Sequence, residues 1–385
     1  MTTRVNTQWL RVKRYPHIGL PIERKNFEYI RSIVTNPDIV SSHSFLPLIR
    51  REIVTHPYKF DEKTGEKKRV RKVRNITYSS HFDSVIFAYY AEQLQLKYEE
   101  LIKREMIEDV VVAYRKIPKS SGKGNKCNID IAGDVFNYIK IQIANGYEVA
   151  VITFDIKGFF DNLNHDILKR QWKKVINVKE LPKDVYAVYK HTTRYSYINE
   201  NKIFGLFKDE ILCESCGKIV KRKVKRLEYM RSRNALAFCE KIQMPNLRKS
   251  GYIQRNILKK GIPQGLPISA VLANVYMFDF DKEISNCISK NNGIYRRYSD
   301  DIIVVCPIEK ANEIRNLIID RIKKEDLEIQ RQKTNLYEIH KVLGKTICVH
   351  ETKGIAKKIE YSLSWFRLNT GLPIADAANK IGDSL

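Results

Sequence analysis

The residues best suited to chemistry stand in two acidic groups. Asp155 ends an apolar run, and Asp300-Asp301 sits in the middle of the stretch from Ile294 to Cys306. That stretch reads Ile-Tyr-Arg-Arg-Tyr-Ser-Asp-Asp-Ile-Ile-Val-Val-Cys, two β-rich runs around short polar residues, which is a hairpin pattern. Adjacent carboxylates repel each other and gain nothing from packing, and most Asp-Asp pairs are plain surface turns. Here Tyr298 before the pair and an apolar strand after it press the carboxylates against a core. A divalent cation would relieve the repulsion, and hard oxygen ligands suit magnesium.

The elements that must carry these groups are legible from periodicity. Val149 to Phe154 is a β-branched apolar run, read as a buried strand that stops on Asp155. Ile86, Tyr90, Leu94 and Tyr98 mark one face of a helix, as do Ile268, Leu272 and Val275, and again Ala311, Ile314, Ile318 and Ile322. Val111–Arg115 reads as a short strand ending on a cation, and Leu327 to Lys333 as a strand entering a polar turn. Basic and apolar residues alternate from Lys67 to Ile76, with Val70, Val73 and Ile76 giving a strand-like face. Gly122, Lys123 and Gly124 could cradle a phosphate, although the P-loop spacing is absent, so Arg115 is the better phosphate contact.

Composition bounds the rest. A chain of 385 residues with 43% hydrophobic residues holds sizeable cores in two or three domains. Lys plus Arg (69) against Asp plus Glu (44) leaves a formal net charge of +25, which points to a polyanion, nucleic acid before acidic membrane. No apolar leader and no membrane-length run are visible, and seven scattered cysteines suit a reducing compartment, so a cytoplasmic protein is expected. Residues 191–251 form a basic insertion. Lys221, Arg222, Lys223, Lys225 and Arg226 lie among aromatic residues, as in single-strand binders; a solvated basic segment is the equal alternative. Cys213 and Cys216 make half of a zinc ribbon, and with no second Cys-x-x-Cys zinc is the minority reading.

Tyr298-Ser-Asp300-Asp301 on its hairpin resembles the catalytic signature of reverse transcriptases. Phe154-Asp-Ile-Lys-Gly-Phe-Phe-Asp-Asn162 is similar to motif A of group II intron and related bacterial members, and Gly261-Ile-Pro-Gln264-Gly-Leu-Pro to motif B, with Ala270 where most relatives have proline. Arg74 and Asp83 are spaced like a fingers motif, with Ser79 in place of the usual proline. The resemblance implies an α+β fold: an N-terminal extension and right-hand fingers over 1–146, a ferredoxin-like antiparallel palm over 147–190 and 252–371, the insertion 191–251, and a tail 372–385 with little or no thumb. It also implies site roles. Asp155, Asp300, Asp301 and the Ile156 carbonyl would hold two Mg2+ ions, and Lys333 is placed like the motif D general acid. Arg74, Arg115, Gln264 and Tyr298 would contact substrate, and Phe160 would exclude a 2′-hydroxyl. Tyr361–Gly371 resembles a primer-grip hairpin. The expected partners are dNTPs, a noncoding RNA template, the DNA product, and either further copies or a second protein. A defence-associated bacterial enzyme, a retron-type or group II intron-derived enzyme, and a non-catalytic RNA-binding scaffold all stay open.

Overall fold

The computed structural model describes residues 9–61, 66–342, 345–352 and 355–359. The hairpin expected over Tyr361–Gly371 and the tail 372–385 lie outside them. The chain divides into two compact units, each made of two segments: Met1–Lys97 with Lys173–Leu272, and Tyr98–Trp172 with Ala273–Leu385. The fold is mixed, with helices in both units, sheets of mixed strand direction in the first and an antiparallel sheet in the second. Among the described residues no helix is long and apolar enough to cross a membrane.

The first unit carries β1 (His17–Ile18), β2 (Leu48–Thr55), β3 (Tyr58–Asp61), β4 (Glu66–Arg69) and β5 (Lys72–Tyr78) from its first segment. Its second segment adds β7 (Ser196–Asn199), β8 (Ile211–Ser215), β9 (Lys218–Arg222), β10 (Ala235–Cys239) and β11 (Gln254–Arg255). Of these, β3 and β4 pair with each other, and the other eight make two four-stranded sheets, ordered β1-β10-β8-β9 and β11-β7-β2-β5. Their common core includes Ile18, Ile49, Ile198, Ile211 and Phe238. The basic segment after Lys218 is built into this unit, because β9 pairs with β8 while Val224 and Met230 enter the same core. The alternation at Lys67–Ile76 does become strand, but Val70 and Val73 are each 38% exposed, so it has no buried apolar face at those positions. Val70 falls between β4 and β5, and Val73 lies on β5 at the edge of its sheet.

The second unit holds β6 (Val149–Asp155), β12 (Ile294–Tyr298), β13 (Asp301–Pro307), β14 (Asn335–Val342), β15 (Lys345–Thr352) and β16 (Ile355–Ile359). They form one antiparallel sheet in the order β12-β13-β6-β14-β15-β16. β6 sits inside the sheet and is buried from Val149 to Phe154, which is why it reads as a continuous apolar run. Val149 and Val151 pack with Val135, Phe136 and Ile139 of the Asn128–Ala144 helix. Each such side chain contributes about 1.5–3 kcal/mol on full burial, so the strand is fixed firmly up to its polar end. The Ala311–Lys324 helix buries Ala311, Ile314, Ile318 and Ile322, the expected face.

Two expected strands are not strands. Val111 makes only a parallel bridge to Arg297, and Tyr114 at φ +61° breaks the extended run before Arg115. Leu327–Gln330 contributes a single bridge, Ile156 to Ile329, and then winds into a 3-10 turn over Arg331–Lys333. In both places a short pairing is cut off by a residue or turn that bends the chain away.

Candidate active site

In the second unit Asp155 is the last residue of β6 and Asp301 the first of β13, and the register pairs them directly across the two strands. Opposed positions on antiparallel strands have Cβ atoms about 4.5–5.5 Å apart, so the two carboxylates start from neighbouring Cα atoms. Asp300 precedes Asp301 in the turn, and the Ile156 amide donates to the Asp300 carbonyl at 3.0 Å. Tyr298 pairs with Asp301 and closes a two-residue turn made of Ser299 and Asp300. Lys333 reaches the same place, with Nζ 2.6 Å from Asp155 Oδ2.

This turn is held in an unusual conformation. Ser299 has φ +61°, a region L-residues other than glycine occupy at a cost, and it is 2% exposed. Arg297 fixes it from behind by donating from Nη1 to the Ser299 carbonyl at 2.9 Å. That arginine is fully buried and forks onto Asp281, Nε to Oδ1 at 2.8 Å and Nη2 to Oδ2 at 2.7 Å. The Tyr295 hydroxyl donates to Asp281 Oδ1 at 2.6 Å, and the Tyr114 hydroxyl donates to Ser299 Oγ at 3.3 Å. Burial works against the Arg297 charge, but Asp281, Tyr295 and Tyr98 more than offset it and hold the guanidinium above its ordinary pKa.

These supporting residues carry no recognised motif, yet two signals point to them. Tyr295 and Arg297 alternate on the buried face of β12, so a cation there needs a counter-charge. Asp281 lies three residues before Ile284 and seven before Ile288 on the apolar face of the Phe278–Lys290 helix, where an acid needs a partner.

Burial and mutual repulsion set the electrostatics of the acidic group. Burial, and after it the negative charge of Asp155, raise the Asp300 pKa above its ordinary value; bonds to its own amide and to Ser299, and the Lys333 charge, act the other way. Among the described residues no three His, Cys, Asp or Glu side chains converge as a metal cage. Magnesium does not require one, since it keeps several waters and binds through one or two carboxylates plus substrate phosphates. Asp155 and Asp300, hard oxygen donors that repel each other, fit that description.

The other expected site residues are spread over both units. Phe160 is half-buried in the short Phe159–Asn162 helix, which follows Gly158 at φ +54°. Arg115 bonds Glu99 through Nε and Nη2 at 2.8 and 2.6 Å and the Val111 carbonyl at 2.6 Å, with its side chain 6% exposed. Its guanidinium is thus committed to holding the 99–115 segment together. Arg74 and Gln264 belong to the first unit, where both are exposed. The Gln264 carbonyl accepts from the Thr77 amide at 2.7 Å, and Gly265 at φ +118° permits this approach, since a Cβ there would lie 2.7 Å from the Thr77 oxygen.

The five basic positions all lie on or just after β9. Lys221 pairs with Glu210 at 3.2 Å and Lys223 with Asp209 at 2.7 Å, while Arg222 donates to Ser215 Oγ at 2.8 Å. Lys225 and Arg226 are exposed. Cys213 is buried in the apolar core, whereas Cys216 is exposed in the β8–β9 turn, so the two sulfurs occupy different environments.

The chain is similar to apo telomerase from Candida tropicalis truncated from the C-terminal domain (TM-score 0.40, 14% identity, 80% of this chain and 57% of that one). It is also similar to telomerase from Candida albicans in complex with a TWJ fragment of telomeric RNA (0.42, 14%, 89% and 53%) and to apo telomerase from Candida tropicalis (0.40, 12%, 90% and 56%). The chain spans a little over half the length of each. No curated protein matches it. A family model does match, over residues 222–347, and it takes in Gln264, Asp300, Asp301 and Lys333 but not Asp155. The matching family model is described as "Reverse transcriptase (RNA-dependent DNA polymerase)".

Proposed function

We propose that the chain extends a primer with deoxynucleotides along an RNA template, using Asp155, Asp300 and Asp301 as its catalytic carboxylates. The observation that carries this reading is the register that sets Asp301 of the matched domain across from Asp155 outside it. In this reading the six-stranded sheet is the palm and the first unit contains the fingers. Asp155 and Asp300, with Asp301 beside them, would hold Mg2+; two such ions would lower the pKa of the primer hydroxyl and neutralise the triphosphate. Lys333 screens Asp155 until substrate arrives and is then placed to donate a proton to departing pyrophosphate. Phe160 selects deoxynucleotides by bulk, leaving no room for a 2′-hydroxyl. Primer extension with dNTPs or rNTPs by the Phe160→Ala variant tests that role: relaxed sugar selectivity supports it, and unchanged selectivity with full activity moves the gate elsewhere.

The β9 cations support the nucleic-acid reading in a second way. Their ion pairs are exposed, and such pairs contribute only about 0–1 kcal/mol, so phosphates can replace the acidic partners at little cost. We place Lys221, Arg222, Lys223, Lys225 and Arg226 on the template or product backbone. Together with the +25 charge this favours a ribonucleoprotein or an oligomer, and the setting we propose is bacterial antiphage defence with a noncoding RNA. Sequencing the nucleic acid that copurifies with the protein tests the setting: one recurrent structured RNA supports it, and random cellular RNA contradicts it.

A further inference from the structure

We infer that the first unit carries a second nucleic-acid site, a groove for an unpaired strand, formed by two adjoining concavities that share Asn201. Both are open to solvent, the first with about 500 Å3 and the second with about 580 Å3 of accessible space. Asn201 stands in the first turn of the Glu200–Phe207 helix, whose start is capped by Asn199. Arg50, Tyr197, Lys202 and Tyr252 line the first concavity, and Phe204, Arg226 and Tyr229 line the second.

The lining selects the ligand class. The Arg50 guanidinium lies 3.5 Å from the Tyr197 ring centroid, and the Lys202 ammonium 5.2 Å from that of Tyr252. Tyr252 is 39% and Tyr229 44% exposed, large rings left open at the edges of concave surfaces. Rings and guanidinium planes stack unpaired bases, while cations hold the backbone. Arg50 Nε is buried without a hydrogen-bond partner, a donor that a ligand oxygen or ring nitrogen would satisfy. Each concavity also presents a carboxylate, Glu52 in one and Glu228 in the other, and the first adds the Asn75 and Gln254 amides. Carboxylates oppose an acidic peptide or a free phosphate, but they accept from the exocyclic amines of bases. Bases in a duplex hide the faces and edges this lining would engage, so the occupant is single-stranded.

Arg226 is shared with the backbone contacts proposed above; the other lining residues belong to the groove alone, and Asp155 and Asp300 contribute nothing to it. The test is fluorescence anisotropy of labelled 12-nucleotide RNA, the same sequence as DNA, and its duplex, in metal-free buffer. The full chain carries Asp300→Asn so that no extension occurs. The expected result is single strands bound better than duplex. In the same background Tyr229→Ala/Tyr252→Ala should weaken single-strand binding about tenfold or more. Tyr252→Trp should retain binding, since stacking survives, and Lys202→Ala should reduce the slope of log affinity against log salt by about one. Whichever of RNA or DNA binds more tightly identifies the strand, and either supports the groove. Photo-crosslinking of 4-thiouridine RNA should map to peptides containing Tyr197 or Tyr252. Single-strand binding unchanged by the double alanine variant, equal loss in the alanine and tryptophan variants, or crosslinks confined to the other unit would overturn the inference. Primer extension on the chain with native Asp300 is scored separately, so failure of the groove and failure of the catalytic reading give different patterns.

Discussion

Two hairpins of this chain solve the same geometric problem in opposite ways. β8 and β9 are closed by Ser215 pairing with Lys218, leaving Cys216 (φ +49°) and Gly217 (φ +72°) as the turn. Two successive positive φ values match the right-handed strand twist, and glycine bears one of them at no steric cost. That turn is exposed and carries cations along its second strand. β12 and β13 are closed by Tyr298 and Asp301 around Ser299 and Asp300, with one positive φ on a buried serine and no glycine. The first turn is stable through its own residues. The second is held by Arg297, Asp281, Tyr295 and Tyr114, and it places a carboxylate where solvent is scarce. Strain is maintained where a charged group has to be aimed, and is absent where charge only has to be displayed.

The largest expected effect lies in that buried support. Arg297→Ala leaves Asp281 charged and unpaired in the core and should cost about 3–5 kcal/mol of unfolding free energy in denaturant melts. Adding Asp281→Asn should restore part of it, because the orphaned charge is gone. A loss below 1 kcal/mol for the single variant would erase the distinction between the hairpins.

A middle-sized effect should come from the exposed turn. Cys216→Asn places a residue that tolerates the left-handed region and should raise stability by about 0.5–1 kcal/mol, with no change in primer extension. Ser299→Gly relieves the same kind of strain but gives up the Tyr114 bond, so its stability should stay within about 1 kcal/mol of the parent. Its activity should fall, because the turn loses its single conformation. Equal activity for both variants would mean that the strained turn does nothing for the chemistry.

The smallest effect is in acid. The folded protein binds the Asp300 proton more tightly than the unfolded chain does, through burial and the charge of Asp155. The stability this contributes is full below the carboxyl's unfolded pKa and is lost as pH rises through the raised folded value. Without metal, the stability difference between the parent and Asp300→Asn should therefore shift against the parent as pH rises across that window. Added Mg2+ must displace the proton, so its binding should weaken as pH falls. A pH-independent difference would contradict the raised carboxyl.

Much of the second unit was legible because its elements are periodic and long. β6 showed as an apolar run ending on Asp155, and the face from Ala311 to Ile322 is buried as spaced. The pairing of Asp301 with Asp155 was not legible, since register is set by packing across segments far apart in the chain. Arg115 read as a phosphate contact because a cation after an apolar run looks free, whereas Glu99 claims it through the fold. Val111–Arg115 has strand composition, but the left-handed Tyr114 overrides a weak local preference. The basic stretch after Lys218 resisted a reading because its few apolar residues, Val224 and Met230, do the anchoring and show no period.

The central claim is that Asp300, aimed by the strained turn beside Asp155, holds the catalytic metal. The most direct test is single-nucleotide primer extension on an RNA template with Asp300→Asn, alongside calorimetric titration with Mg2+ in the presence of primer, template and dNTP. Asparagine keeps the size of the side chain and removes its charge, so the fold should persist. The account predicts weaker Mg2+ binding and a rate reduced on the order of a thousandfold, from loss of roughly 4 kcal/mol of transition-state stabilisation. Extension near the parent rate by a variant whose melting curve matches the parent would contradict it.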